Sequence, residues 1–302
     1  MQVLFLYATL VLIWGSTWAA IRYQLGPVAV EVSVAYRFAI AASVLFAFAL
    51  LSGRSLRIPL RQYPMIVLQG LLLFSGNYFL VYYATGYITS GLIAVVFSAL
   101  VLVNTVNERL FFKTPIDRSI IIAAALGLAG IALIFWPEIG RLSLSDNTMI
   151  GIIFALLSLF IASLGNMAAY ANTGKNLSVI VVNAHGMLWG AALSALIAGL
   201  LGREFNFSTE TSYVASLLYL ALPGSAIAFG CYLALMRRIG SARTAYSSVL
   251  FPVVALTIST VIEDYQWSLL SATGVILTLL GNWLVLLRVH KIADVAIVAE
   301  HK

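Results

Sequence analysis

Runs of about 16 to 24 apolar residues follow one another along this chain, each close to the roughly 20 residues that carry a helix across a bilayer. Cut at charges, Pro and Gly, they span 2–21, 28–51, 64–83, 91–107, 119–136, 149–170, 178–201, 213–235, 244–262 and 268–288. A soluble domain carries roughly 25% charged residues. Here 9% are charged and 62% hydrophobic, too much apolar surface to hide in a water-facing fold of 302 residues. The expected class is an all-α polytopic membrane protein with ten transmembrane helices. The longest connections, 52–63, 137–148 and 202–212, leave no room for a soluble domain, so any chemistry is expected inside the membrane.

Basic residues in the loops set the orientation, because Lys and Arg near span ends favour the cytoplasmic side. With both termini inside, one side collects Arg54, Arg57, Arg61, Arg109, Lys113, Arg118, Lys175, Arg237, Arg238, Arg243, Arg288, Lys291 and Lys302. The other receives Arg22, Arg141 and Arg203. The basic pI therefore reports topology, and no nucleic-acid partner is expected. The first run lacks a basic n-region and a clear cleavage site, so it reads as a retained helix. A single Cys and three His without ligand spacing support neither a disulfide nor a metal site, and no cofactor is expected.

Displacing the sequence against itself by about 149 to 151 residues brings two five-run halves into register. Gly76 to Arg109 falls on Ala226 to Asp264, Ala84 on Ala234, Ser98 on Ser248 and Gly130 on Gly281. An odd number of spans per half inverts the second, giving two inverted five-helix repeats, 1–148 and 149–288, and a cytoplasmic tail, 289–302. Inverted repeats recur in secondary transporters, with the substrate near the midplane where the halves meet.

Trp14-Gly15-Ser16-Thr17-Trp18, Arg37-Phe38, the Ala84 to Gly91 loop, Pro252, and the closing Glu108 and Glu263 together resemble the drug/metabolite transporter superfamily, EamA type. The resemblance covers nearly the whole length in two copies. It implies an exporter of metabolites in a bacterial inner membrane, with the aromatic-amino-acid exporters as one branch, and no enzymatic activity. The first copy departs from the pattern at Val101, which stands where the second has Pro252.

The candidate cavity residues are polar and aromatic groups of the spans; Trp14 is too deep for the interfacial belt, whereas Tyr82 lies near the outer end, where belt anchoring is the alternative. Asn77 and Tyr78 sit slightly outside the midplane of the third span, with Tyr82 one turn beyond Tyr78 on the same face, and an asparagine amide facing lipid would be unpaired. Trp14 and Trp18 stack along the first span beside Gly15. His185 and Trp189 lie one turn apart in the seventh, and Asn104, Asn166, Tyr246 and Ser248 continue the polar series. Each reads either as substrate contact or as interhelical packing. Gly15, Pro223, Gly224 and Pro252 are candidate flex points, since an interior proline removes a backbone bond and clashes one turn back. Arg37, the only base inside a span, reads as an anchor that snorkels or pairs with a carbonyl.

Absent groups narrow the class further. No Asp stands within a span, no Glu near mid-depth, and no phosphate-binding GxxxxGK[ST] loop exists. The expected function is alternating-access export of small metabolites through a cavity of aromatic and neutral polar groups, with amino acids including aromatic ones the class that the resemblance implies. The alternatives are a sugar-phosphate or nucleotide-sugar carrier, which needs two or more bases for phosphate, and, from another class, an intramembrane enzyme or a non-transporting scaffold. The expected partners are the small-molecule substrate and the lipid bilayer. A monomer is compatible with the sequence, which leaves oligomeric state open.

Overall fold

In hydrocarbon each backbone N–H and C=O must be paired within its own segment, so apolar runs of this length settle as helices. The computed structural model describes residues 2–88, 90–134, 136, 146–173, 177–254, 257 and 268–300, and among these all regular structure is helical. Glu263 lies outside the described residues.

The helices are α1 (Gln2–Arg22), α2 (Val30–Leu51), α3 (Leu60–Tyr87), α4 (Leu92–Phe112), α5 (Arg118–Ile134), α6 (Asp146–Thr173), α7 (Val179–Leu200), α8 (Thr211–Ile239), α9 (241–254) and α10 (Leu269–Glu300). Among the described residues seven of them, α1 to α4 and α6 to α8, are long and apolar enough to cross a membrane. The expected limits hold to within a few residues, except that α4 runs on to Phe112 and α10 continues beyond 288, while the expected end of the ninth run, 262, lies outside the described residues. Large apolar side chains such as Leu12, Phe160 and Leu196 stay exposed on the bundle exterior, as a lipid-facing surface requires.

Without a hydrophobic drive between helices in lipid, association rests on close packing, which small residues permit. The most extensive pairings are α2 with α7, α5 with α10, and α3 with α6. In the second, a Cβ on Gly130 would stand 2.5 Å from the Gly274 carbonyl oxygen and 2.8 Å from the Thr278 nitrogen. Gly70 of α3 meets α7 in the same way, where an added Cβ would lie 2.5 Å from the Gly186 oxygen. Gly15 is likewise a contact surface, since a Cβ there would stand 2.6 Å from Val254 Cβ.

Backbone irregularities recur at one spacing. A π-helical turn at Leu72–Gly76 interrupts α3, and another at Leu222–Ile227 interrupts α8. α4 breaks at Ala99, where Ala99 N–H bonds Val96 O at 3.1 Å, and α9 carries a 3-10 stretch at Tyr246–Leu250. Pro223 accounts for only one of these breaks. Near Pro252 the Phe251 N–H donates to the Ser248 carbonyl. The Ser247 and Ser248 hydroxyls donate instead to Thr244 O and Ala245 O, each at 2.8 Å.

Loops gather at two ends. At one, Arg54 bonds Ser178 at 3.2 Å, Arg237 the Leu177 carbonyl at 3.4 Å, and Arg243 pairs with Asp117 at 3.1 Å. At the other, Gln24 bonds the Tyr213 carbonyl at 2.9 Å, Asn206 the Pro27 carbonyl at 3.0 Å, and Arg203 lies 3.6 Å from Glu31, which also accepts from Tyr83. The base-rich loops thus share one end, the grouping on which the orientation argument depends.

Candidate functional site

The π-turn of α8 places two groups at the centre of the bundle. Its Gly224 carbonyl accepts from Trp14 Nε1 at 2.9 Å, tying α1 to α8. The Ser225 hydroxyl donates to Leu220 O at 2.8 Å and accepts from Arg37 Nε at 2.9 Å. Gly224 is small for this purpose: a Cβ there would lie 3.0 Å from Thr17 Cγ2 and 3.7 Å from Arg37 Nη2.

Arg37 does not snorkel. Its side chain is 1% exposed, its carbon Cζ stacks 4.4 Å above the Tyr78 ring, and Nη2 reaches the Tyr78 hydroxyl at 3.4 Å. The Tyr82 hydroxyl lies beside the same guanidinium without hydrogen-bond geometry. No carboxylate among the described residues pairs with Arg37, and Nη1 has no partner. The nearest acidic residue in sequence, Glu31, is committed to Tyr83 and Arg203.

A cavity of about 80 Å³ opens here among α1, α2, α3, α4, α6, α8 and α9. Trp14, Trp18, Asn77, Tyr78 and Asn166 line it, together with Arg37, Thr17, Phe97, Phe229, Tyr232 and Phe251. The aromatic wall is continuous: Trp14 meets Phe229 edge-on at 4.8 Å, Tyr232 at 5.1 Å and Phe251 at 5.8 Å, while Trp18 meets Phe97 at 5.2 Å. Such ring pairs contribute about 0.5–1.5 kcal/mol each beyond their buried area. Asn77 Oδ1 accepts from Ser158 at 2.6 Å, which fixes the amide. Ligand pockets commonly hold roughly 300–1,000 Å³, so this arrangement is contracted and its walls must part to admit a whole metabolite.

A polar line leaves the cavity. Asn166 Nδ2 reaches Asn104 Oδ1 at 3.4 Å, and Asn104 Nδ2 reaches Ser241 at 3.2 Å. It ends at a larger cleft of about 460 Å³ at the base-rich end, lined in part by Glu108, Asp117, Arg238 and Arg243. Greater volume does not make that cleft the better site, because it lies at the loop end of the bundle and its Asp117 and Arg243 are already paired. Glu108 Oε2 accepts from the Ala242 amide at 2.8 Å, which offsets the unfavourable position of a carboxylate near a helix C-terminus. Asp117 holds Arg243 and the Ser119 hydroxyl, the latter at 2.6 Å.

Burial pulls the Asp117 carboxyl upward, but Ser119 and Arg243 outweigh it and leave its pKa below the ordinary value. A lowered folded pKa stabilises above the unfolded value and is lost as pH falls through the folded one. Asp117→Asn is therefore expected to lower the melting temperature more at pH 7 than at pH 3. The pair is partly solvated, so the difference should correspond to no more than about 1 kcal/mol. An equal deficit at both pH values in thermal unfolding would contradict this assignment.

Four expected site residues stand elsewhere. His185 contacts the Leu56 carbonyl at 3.0 Å and Tyr63 at 3.4 Å, near the base-rich end. Trp189 is 42% exposed on the outside of α7. Tyr246 donates to Ala123 O at 2.6 Å between α5 and α10, and Ser248 is occupied by its own helix. Tyr82 and Asn104 are fully buried just behind the lining. Sequence reasoning passed over Phe229 and Tyr232, three residues apart on α8. It also read Arg37 as an anchor, although a lone intramembrane base was the available signal.

The EamA-like transporter family model matches residues 1–136 and 149–287. An uncharacterized inner membrane transporter of Escherichia coli, YedA, is 30% identical over 284 residues, covering 91% of this chain and 90% of that protein. Protein PagO of Salmonella typhimurium is 24% identical over 93% of this chain and 91% of its own length. An uncharacterized transporter of Bacillus subtilis, YdfC, is 24% identical over 98% of this chain and 94% of its own. A protein of known crystal structure superposes with a TM-score of 0.77 at 21% identity, covering 95% of this chain and 97% of that one, a likeness of fold.

Proposed function

The chain belongs to the EamA-like transporter family, and we propose that it exports small metabolites, amino acids including aromatic ones, across a bacterial inner membrane. Transport proceeds by alternating access through the central cavity. The observation that carries this reading is the cavity itself: an aromatic wall with a few polar groups, drawn from helices of both matched stretches. Ten transmembrane helices in two inverted repeats are part of the same proposal. It is supported by the paired family matches and by the π-turns at Leu72–Gly76 and Leu222–Ile227. The π-turns and the Ala99 break are the proposed flex points, because shifted backbone bonds there let helix halves move separately. Both termini are cytoplasmic in this proposal, with the base-rich loops facing inward.

Among the described residues the lining holds no carboxylate and no histidine, which favours facilitated movement or exchange over proton coupling at this site. A sugar-phosphate carrier would need a second base beside Arg37, and the lining supplies none. In proteoliposomes, counterflow of radiolabelled phenylalanine is expected with or without a pH gradient, and counterflow of a sugar phosphate is not. Movement of neither phenylalanine nor threonine would overturn the transport assignment. Strict dependence of phenylalanine flux on the gradient would overturn the uncoupled mechanism.

A further inference from the structure

Among the described residues Arg37 is an ionised group with nothing of opposite charge to hold. A guanidinium stays protonated in proteins, so it cannot escape burial by neutralising, and an isolated buried charge costs several kcal/mol unless paired. Ser225 and Tyr78 occupy Nε and Nη2 as neutral partners, while Nη1 is unpartnered on a side chain 1% exposed. Two other buried polar atoms of the same lining lack hydrogen-bond partners, Trp18 Nε1 and the Tyr232 hydroxyl, the latter lying beside Asn104 without hydrogen-bond geometry. Guanidinium and indole N–H groups only donate, and a phenol can donate. The cavity therefore offers unused donors and one positive charge.

We propose that Arg37 Nη1 receives the carboxylate of the transported molecule, with Trp18 Nε1 and the Tyr232 hydroxyl as further donors around it. The carboxylate, and not the ammonium, is then the recognised group. A carboxylate accepts from several donors at once, and one guanidinium balances a monoanion where a phosphate dianion would want a second base. The aromatic wall takes an apolar side chain. No lining carboxylate stands ready for an ammonium group. The substrate class is thus apolar monocarboxylates, of which amino acids are one kind and 2-oxo and simple arylalkanoic acids others.

The assignment rests on the cavity being the transport site, so its test reads binding separately from flux. The purified protein, in chloride-free detergent buffer, is melted with phenylalanine, 3-phenylpropionate, phenethylamine or chloride. Phenylalanine and 3-phenylpropionate are expected to raise the melting temperature at similar concentrations. Phenethylamine should need at least about 100-fold more, the loss when a buried charge is left unpaired. Chloride should give no comparable shift. In Arg37→Gln the carboxylate shifts should disappear. Because that variant could fold poorly, Trp18→Phe and Tyr232→Phe, which each remove one donor and keep the ring, should weaken 3-phenylpropionate about 5- to 10-fold. Phenethylamine acting as well as 3-phenylpropionate, an equal shift with chloride, or unchanged carboxylate binding in all three variants would overturn the proposal. So would the absence of any shift with carboxylates. Carboxylate binding without counterflow would leave this site standing and remove the transport reading alone.

Discussion

With methionine in place of Arg37, phenylalanine counterflow is expected to fall on the order of 100-fold, the scale of losing one partner of a desolvated charge pair. The empty protein should melt no lower than the parent. Flux and stability part company because the guanidinium is buried without a carboxylate. Removing it forfeits two hydrogen bonds to neutral partners, at 2.9 and 3.4 Å, but also releases a desolvation penalty of several kcal/mol. A purely structural anchor would lose stability and flux together. Counterflow and thermal unfolding of the same preparation separate the two.

Leucine at Gly130 is expected to prevent assembly outright. Even a Cβ at that position would stand 2.5 Å from the Gly274 carbonyl oxygen and 2.8 Å from the Thr278 nitrogen, backbone atoms that cannot rotate away. Separating α5 from α10 to make room breaks one of the broadest helix pairings. It also pulls α5 from Tyr246, whose hydroxyl bridges to Ala123 O at 2.6 Å. The cost should exceed about 4 kcal/mol, the range reserved for severe core defects, and show as aggregated protein in size exclusion. Gly230 is the control: a Cβ there meets nothing within 4 Å. Gly230→Ala should be neutral or stabilise α8 by up to about 1 kcal/mol.

The helical, membrane-spanning character of the chain is legible in the sequence because it depends on apolar run length, a local property. Loop grouping is also legible, since Arg54, Arg237 and Arg243 are drawn together by the topology that their charge bias implies. The cavity is legible only in part. Trp14, Trp18, Asn77, Tyr78 and Asn166 do converge, because polar and bulky aromatic groups at mid-depth are forced inward. His185 and Trp189 fail for a reason that depth alone does not reveal. Gly186 and Gly190 turn the small-residue face of α7 onto α3, which leaves Trp189 facing outward. Tyr246 and Ser248 lie in a 3-10 stretch, where regular helical spacing no longer says which way a side chain points. Arg37 is set by Ser225, 188 residues away in sequence, and a reading along one helix has no means to see that partner. The π-turn of α3 is equally hidden, since Leu72–Gly76 contains no proline.

The most direct measurement is two-sided access to the cavity. Phe97 lines it from α4 and is 7% exposed. The background would be Cys231→Ala, which removes the native thiol, buried on α8. In that background Phe97→Cys should react with a membrane-impermeant thiol reagent in both right-side-out and inverted vesicles, and phenylalanine should protect it from either side. Reaction from one side only, or labelling that phenylalanine leaves unchanged, would contradict alternating access through this cavity.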